Sequence, residues 1–322
     1  IQPTALPNGF VPVDIDVTPM ENSKSKKEGV SRTYKGFDGY APMMAYIGTE
    51  GYAINFELRE GKQHCQNGTV EFLQETIRLC KKLTDQPLLV RLDSGNDSID
   101  NVAVLIDAGC YFIIKRNLRR ESKDGWFDMA KQYCKNITTP RDGKTVYVGS
   151  DWKDVCSKQF EKEFTLRAGY EITERTVDKY GQILLIPEIE VETWWTNLGA
   201  TDEEIIQLYH AHGECEQFHS EIKTDMDLER LPSGKFATNA LVLELGLIAY
   251  NILRMIGQGT IGGRAPRQKR NVKRRRLHTV ISNLIMMASH VTTHARQLVM
   301  GLGKSNVWRH LFANYCESSV AV

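Results

Sequence analysis

Apolar and polar positions change period several times along this chain, and each change predicts an element. Across residues 9–18 (GFVPVDIDVT), Val11, Val13, Ile15 and Val17 alternate with Asp14 and Asp16. A period of two with β-branched residues predicts a strand with both aspartates on one face. A solvated sheet surface tolerates such a pair, so the strand alone assigns them no role. Residues 21–39 are polar and lysine-rich and predict a loop. Residues 41–48 and 52–59 read as strands, and the short Gly-containing link between them signals a hairpin. The chain thus opens on three strands that can pair in sequence.

The period then becomes helical. Val70, Phe72, Leu73, Ile77, Leu79 and Leu83 form a stripe across residues 69–83. Residues 87–92 (PLLVRL) are a continuous apolar run, the pattern of a strand buried on both faces. The run ends in Asp93-Ser94-Gly95, at the carboxyl end of a buried strand, where open α/β sheets place ligands. Asp93 or Ser94 serves equally well as the N-cap of a helix over residues 96–108. Residues 111–115 predict another buried strand. Between 117 and 199 the stretches 144–148, 163–167, 171–178, 182–186 and 189–196 are short and β-rich, with a turn at 178–181. Together they predict a β-rich insertion. Trp194 and Trp195, near its end, read either as core residues or as a stacking surface for an unpaired base.

Residues 201–223 (TDEEIIQLYHAHGECEQFHSEIK) predict a helix, capped by Thr201 with Glu204 three positions on. Gly213 weakens it by about 1 kcal/mol. Tyr209, Glu216 and Lys223 recur every seven residues, and His212 lies one turn from the first two, so the four share one polar face. Residues 236–256 predict a buried helix, a glycine-containing linker follows, and residues 279–300 predict an amphipathic helix. Trp308 and Phe312 read as packing residues of the closing segment.

Composition adds less. With 322 residues, 41% hydrophobic and 25% charged, the chain reads as globular, and a net charge of +1 argues neither for nor against nucleic acid. The distribution says more. Residues 264–276 hold eight cations among thirteen positions and no acid: Arg264, Arg267, Lys269, Arg270, Lys273, Arg274, Arg275 and Arg276. Such a run is a phosphate-contacting segment or a solvated tail. The seven cysteines include no CxxC pair and are odd in number, which indicates neither a zinc module nor a disulfide framework and suits a reducing cytoplasm. No secretory signal is visible, and the most apolar run, 240–250, carries Glu244 and is too short to span a bilayer, so no membrane association is expected.

Three strands, then helix, strand, helix, strand, an interruption and a polar-faced helix is the ribonuclease H-like order. The expected fold is α/β: a ribonuclease H-like mixed sheet with a β-rich insertion and a C-terminal helical region. Residues 1–117 form the first part of the core, 118–199 the insertion, 200–257 the second part of the core, and 258–322 the basic linker and helical end. That fold places carboxylates on the first strand, at the end of the fourth strand and on a later helix, the places of Asp16, Asp93 and Glu216.

The motifs match a family. Asp14-Ile15-Asp16-Val17-Thr18 fits DxDxT, and Arg91-Leu92-Asp93-Ser94-Gly95 fits RxDSG. Tyr209, His212, Glu216 and Lys223 fit a Tyr-Arg-Glu-Lys signature, and Thr196-Asn197 ends the insertion as the family's does. Each motif is short; their order and spacing over residues 9–256 carry the specificity. The chain resembles the DDE-class insertion-sequence transposases of bacteria, with His212 standing where the family has Arg. The resemblance implies metal-dependent DNA cleavage and strand transfer that moves an element by cut-and-paste. It implies that Asp16, Asp93 and Glu216 hold two Mg²⁺ or Mn²⁺ ions. It makes Tyr209, His212, Lys223, Trp194, Trp195 and the eight cations of the basic run DNA contacts. It further implies double-stranded DNA partners (terminal inverted repeats and target), a homodimer on DNA, a nucleoid location in the cytoplasm, and an end-binding domain ahead of the first carboxylate. Two alternatives stay open: a ribonuclease H-like nuclease or resolvase that only hydrolyses, and a domesticated DNA-binding protein without catalysis.

Overall fold

The computed structural model describes residues 1–261 and 272–320, so the DNA contacts expected at Arg264, Arg267, Lys269 and Arg270 lie outside the described residues. The elements run β1 (Val11–Val17), a small ribbon of β2 (Met20–Glu21), β3 (Ser31–Arg32) and β4 (Asp38–Tyr40), then β5 (Met43–Ile47), β6 (Tyr52–Glu57), α1 (Thr69–Cys80), β7 (Leu88–Leu92), α2 (Ile99–Asp107) and β8 (Tyr111–Lys115). They continue with α3 (Lys123–Tyr133), β9 (Asn136–Arg141), β10 (Lys144–Ser157), β11 (Lys162–Val177), β12 (Ile183–Thr196), α4 (Asp202–His210), α5 (Glu214–Ser220) and α6 (Phe236–Gly259). The chain closes with α7 (Leu277–Val280), β13 (Ser289–His294), β14 (Gln297–Leu302) and α8 (Arg309–Val320).

Nine strands form one sheet in the order β6-β5-β1-β7-β8-β12-β11-β10-β9. β1 pairs antiparallel with β5 and parallel with β7, and β7 pairs parallel with β8. Three antiparallel strands followed by parallel αβ units is the ribonuclease H-like arrangement. Side-chain alternation divides the sheet into two faces. Val13 and Ile15, Val90 and Leu92, Phe112 and Ile114 join α1 and α2 in one core. Met44 and Tyr46 face α5 and α6, while Leu89 and Ile113 pack with Trp194 beneath α4. Each such buried side chain contributes roughly 1.5–3 kcal/mol.

The segment 117–199 does not build a sheet of its own. β12 pairs with β8 through Trp194, Trp195 and Thr196, and β11, β10 and β9 follow outward in the same sheet. The short stretches expected here fuse into three long strands. Pro187 interrupts β12 without ending it because this part of the strand has no β8 neighbour to lose a hydrogen bond to, and its register with β11 shifts nearby. Helix α3 was not expected; its signals are the Ser122 cap, whose hydroxyl accepts from Gly125 N, and the buried Trp126 and Ala130 one turn apart.

Two further elements depart from the sequence pattern. Helix α6 is apolar all round but packs on one side only: Leu241, Leu245, Ile248, Ile252 and Met255 remain 42–58% exposed. Among the described residues it is the one helix long and apolar enough to cross a membrane, yet its packed face carries Asn239, Tyr250 and Arg254, all hydrogen-bonded into the core. The helix expected over 279–300 stops early. Helical turns reach Ile285, and β13 and β14 then form a hairpin. Val291, Thr292 and Thr293 favour extended backbone, and Ala295 and Arg296 both take positive φ, the geometry of a tight hairpin turn.

α6 is tied to the core by a fully buried ion pair between Arg254 and Glu221, with Tyr250 Oη also accepting from Arg254 Nη2 at 2.9 Å. Arg254→Met therefore leaves the Glu221 charge buried and unpaired, and should destabilise the chain by about 3–5 kcal/mol. Adding Glu221→Leu should recover most of that loss, as read from urea unfolding midpoints.

Candidate active site

The helical segment opposite β1 starts at a capping box in which Thr201 and Glu204 satisfy each other's backbone N–H groups. It then changes pitch twice without breaking. A 3₁₀ turn at Ala211–Gly213 links α4 to α5, and a π turn at Glu221–Asp225 follows α5. Cys215, Phe218 and Ile222 enter the core on one side. On the other side Tyr209, His212, Glu216 and Lys223 all line one cavity. Gly51 permits this close seating: a Cβ there would lie 2.2 Å from the Phe218 ring.

The cavity, about 890 Å³, has Asp16, Asp93 and Glu216 in its wall. Asp16 Oδ1 accepts from the Val17 backbone N–H at 2.7 Å. Asp93, at the end of β7, accepts from Asn96 Nδ2 at 2.7 Å, and the turn beneath it is held by Cys65 Sγ–H donating to Gly95 O. Burial and the Asp93 charge raise the Asp16 pKa to about 7; His212 and the Val17 N–H oppose the rise, and Glu216 adds to it. Carboxylates crowded enough to hold a proton near neutrality fit a divalent cation, and the oxygen-only donor set fits Mg²⁺ or Mn²⁺. Cys215 and His219 stand behind Asp16 within 4.8 Å of it. The His219 ring turns Nε2 to Cys215 Sγ at 3.6 Å and Nδ1 to Asp16 Oδ2 at 3.9 Å, so it bridges its neighbours rather than converging with them on one point. Burial pushes its pKa down to about 3, helped by Lys223 and His212 and opposed by Asp14, and the imidazole is neutral.

Asp14 is not a surface residue. It is buried, makes a two-pronged ion pair with Arg91 at 2.6 and 2.7 Å, and meets His212 Nδ1 at 2.9 Å. Arg91 Nη1 also donates to Leu208 O at 2.7 Å. The face of β1 that sequence leaves open to water is covered by the helical segment. The expectation that His212 contacts DNA is corrected by the same geometry: the residue is 7% exposed and its imidazole points inward to Asp14. Burial disfavours the imidazolium, but the Asp14 hydrogen bond and charge, with Asp16, outweigh it and raise the His212 pKa above the usual value. Burial likewise opposes the Asp14 anion, but Arg91 and His212 prevail and lower its pKa.

Tyr209 is half-buried against Trp194, ring centroids 5.6 Å apart. Lys223 Nζ donates to Pro19 O at 2.9 Å and keeps its remaining donors. Trp194 is fully enclosed, so it is a core residue and no base can stack on it. Trp195 is buried, donates to Asp97 Oδ1 at 3.0 Å and lies 4.1 Å under the Arg116 guanidinium, in a separate cavity. The described end of the basic run is a second correction. Arg274 pairs with Glu214 and covers the Phe218 ring, Arg275 donates to Thr260, and Arg276 pairs with Asp225 at 2.9 Å. Arg274 and Arg276 hold the run against the helical segment and Arg275 holds it to the end of α6; Lys273 alone of the four described is exposed without an ion pair.

Sequence reasoning missed Arg91 and Asp14 as partners, although each stands two positions before a carboxylate on the same strand face. It also missed Tyr34 and Lys35, which line the cavity from the segment read as a plain loop; nothing local in that polar stretch marks them.

Asp14→Ala should strand a buried guanidinium and cost about 3–5 kcal/mol of stability in chemical unfolding. For Asp16, metal must displace a proton, so Mn²⁺ affinity measured by calorimetry should rise between about pH 5.5 and 8, most steeply near 7. Without metal the linkage reverses: a carboxyl raised from 3.8 to about 7 loses stability as pH climbs through that interval, so Asp16→Asn should raise the melting temperature at high pH and hardly at low pH.

The family described as transposase DDE domain group 1 matches residues 5–319. No curated protein matches the chain. Among solved structures, a piggyBac transposase synaptic complex with hairpin DNA is similar, with a TM-score of 0.44 and 10% sequence identity over 98% of this chain and 55% of that one. The chain spans about half the length of that protein. With residues 5–319 matched, nearly its whole length, the chain belongs to the transposase DDE domain family.

Proposed function

We propose that this chain is the catalytic part of a DNA transposase that cleaves element ends and joins them to target DNA. The observation that carries the reading is the meeting of Asp16, Asp93 and Glu216, from a central strand, a strand end and a helix, in the wall of one open cavity. Family membership supports it. The three carboxylates would hold two Mg²⁺ or Mn²⁺ ions. When bound, the ions supply Lewis-acid polarisation of the phosphate and a nucleophile available at neutral pH.

The protein's own contribution is placement. Asp16 and Asp93 are fixed by backbone and Asn96 hydrogen bonds, so they reach the reaction already oriented. Lys223, at the cavity edge, holds a phosphate of the strand beside the scissile one. Tyr209 offers its hydroxyl to the same strand, its ring braced by Trp194. His212 acts from below, through Asp14. Lys273 and the cations at 264, 267, 269 and 270 contact the DNA backbone without sequence choice. The substrates are double-stranded terminal repeats and target DNA, and two copies act together on DNA in the cytoplasm, at the nucleoid.

Asp16→Asn, Asp93→Asn and Glu216→Gln should each lower Mg²⁺-dependent cleavage by at least about 10³-fold, a transition-state loss of several kcal/mol, while DNA binding and the circular dichroism spectrum stay as in the wild type. Cleavage at wild-type rate by any one of them removes that residue from the site. Joining of 3′-hydroxyl ends to a plasmid separates transposition from hydrolysis alone.

A further inference from the structure

The cavity has a second wall that neither the motifs nor the family match explains. Directly after Asp16 the chain leaves the main sheet and builds the ribbon of β2, β4 and β3. The ribbon is anchored far from its tip. Met20 and Tyr40 are fully buried, Asn22 Nδ2 donates to Glu229 O at 2.9 Å, and Tyr40 packs against Phe236 at the start of α6. The tip, residues 33–37, is a tight turn. Thr33 N and Thr33 Oγ1 both donate to Phe37 O at 2.8 Å, Gly36 N donates to Thr33 O at 3.0 Å, and Gly36 takes φ +85°, a conformation that favours glycine. This rigid turn presents Tyr34 and Lys35 to the cavity that holds Asp16, Asp93 and Glu216.

Their surroundings specify what they can hold. Tyr34 is 70% exposed, and the Lys35 ammonium stands over its ring 5.9 Å from the centroid, so most of the ring stays open to solvent. Burial around the phenol and the charges of Asp16 and Asp93 raise its pKa to about 12. Lys35 faces the same space as Lys223: burial lowers the Lys223 pKa, Glu229 raises it, and Lys35 lowers it again. No ion pair of Lys35 is found among the described residues. The cavity therefore joins three carboxylates to two ammonium groups from different elements, near enough that one acts on the other, with an exposed tyrosine beside one of them. A polyanionic strand passing over the carboxylates meets both cations, and a base next to the tyrosine can stack on its exposed ring.

We propose that Tyr34 and Lys35 form a lip of a strand-binding cleft, Lys35 taking a DNA phosphate together with Lys223 and Tyr34 stacking on the base of that nucleotide. This rests on the reading of the cavity as a site for DNA backbone chemistry. It deepens that reading by assigning an unpaired nucleotide subsite to a segment outside every motif.

The test uses the full chain, Mn²⁺ and short single-stranded DNA carrying one 2-aminopurine, alongside a duplex cleavage assay. Wild-type protein should quench the 2-aminopurine. Tyr34→Ala should lose the quench and raise Kd about tenfold, while Tyr34→Phe keeps both near wild type. Lys35→Ala should weaken binding and lower the salt slope by about 0.7, the loss of one single-strand phosphate contact. Mn²⁺ binding measured by calorimetry should be unchanged in all three variants, which a general loosening of the site would not allow. Binding and quench by Tyr34→Ala equal to wild type, or a loss that Phe does not restore, would overturn the proposal. If the wild type binds and cleaves DNA while Tyr34→Ala behaves identically, only the lip is wrong. If the wild type neither binds nor cleaves DNA, the proposed function and the lip fall together.

Discussion

The buried contact of Asp14 with Arg91 and His212 is the constraint on which the active site depends. Each member stands on the same element as one carboxylate and a fixed interval before it. Asp14 precedes Asp16 by two positions on β1, Arg91 precedes Asp93 by two at the end of β7, and His212 precedes Glu216 by four in the helical segment. Two positions on a strand, and four on a helix, return a side chain to the same face. Joining the three inner residues therefore registers the three outer ones. As a contribution to stability a buried ion pair is worth little over an apolar replacement, but breaking it is expensive. Its value here is geometric: it fixes the helix on the sheet beside the three carboxylates.

A second buried contact fixes the other end of the helix. Glu221 meets Arg254 of α6, Arg254 Nη1 donates to Arg275 O at 2.9 Å, and Glu221 Oε1 accepts from Leu277 N at 3.3 Å. The chain after the basic run is thereby pinned to the helix that carries Glu216. Arg274, Arg275 and Arg276 are used in that attachment.

The site is acidic at its centre and basic at its margins. Asp16 feels Asp93 and Glu216 strongly enough to hold a proton near neutrality, while Lys223 and Lys35 stand at the edge. Under the proposed function, divalent cations would relieve the first feature and a nucleic-acid strand would answer the second.

Much of this was determined by the sequence alone. Alternation in β1 and the continuous apolar run of β7 prescribe a central sheet, and the Thr201 cap with the 3.6-residue stripe prescribes the helix that lies on it. These patterns are local, because side-chain periodicity and capping involve neighbours a few residues apart. The resemblance to a known fold order and its motifs singled out Asp16, Asp93 and Glu216 as a set, and all three line one cavity. The resemblance chose Asp16 over Asp14, but only the tertiary structure shows the different surroundings of these two aspartates on one face of one strand. Water reaches Asp16 from the cavity, while the helix covers Asp14 and Arg91 neutralises it. The same holds for His212, for the arginines at 274–276 and for Tyr34. Whether a polar group is buried depends on which distant segment packs over it, and the free energy of a charge depends on that burial and on partners far away in the chain.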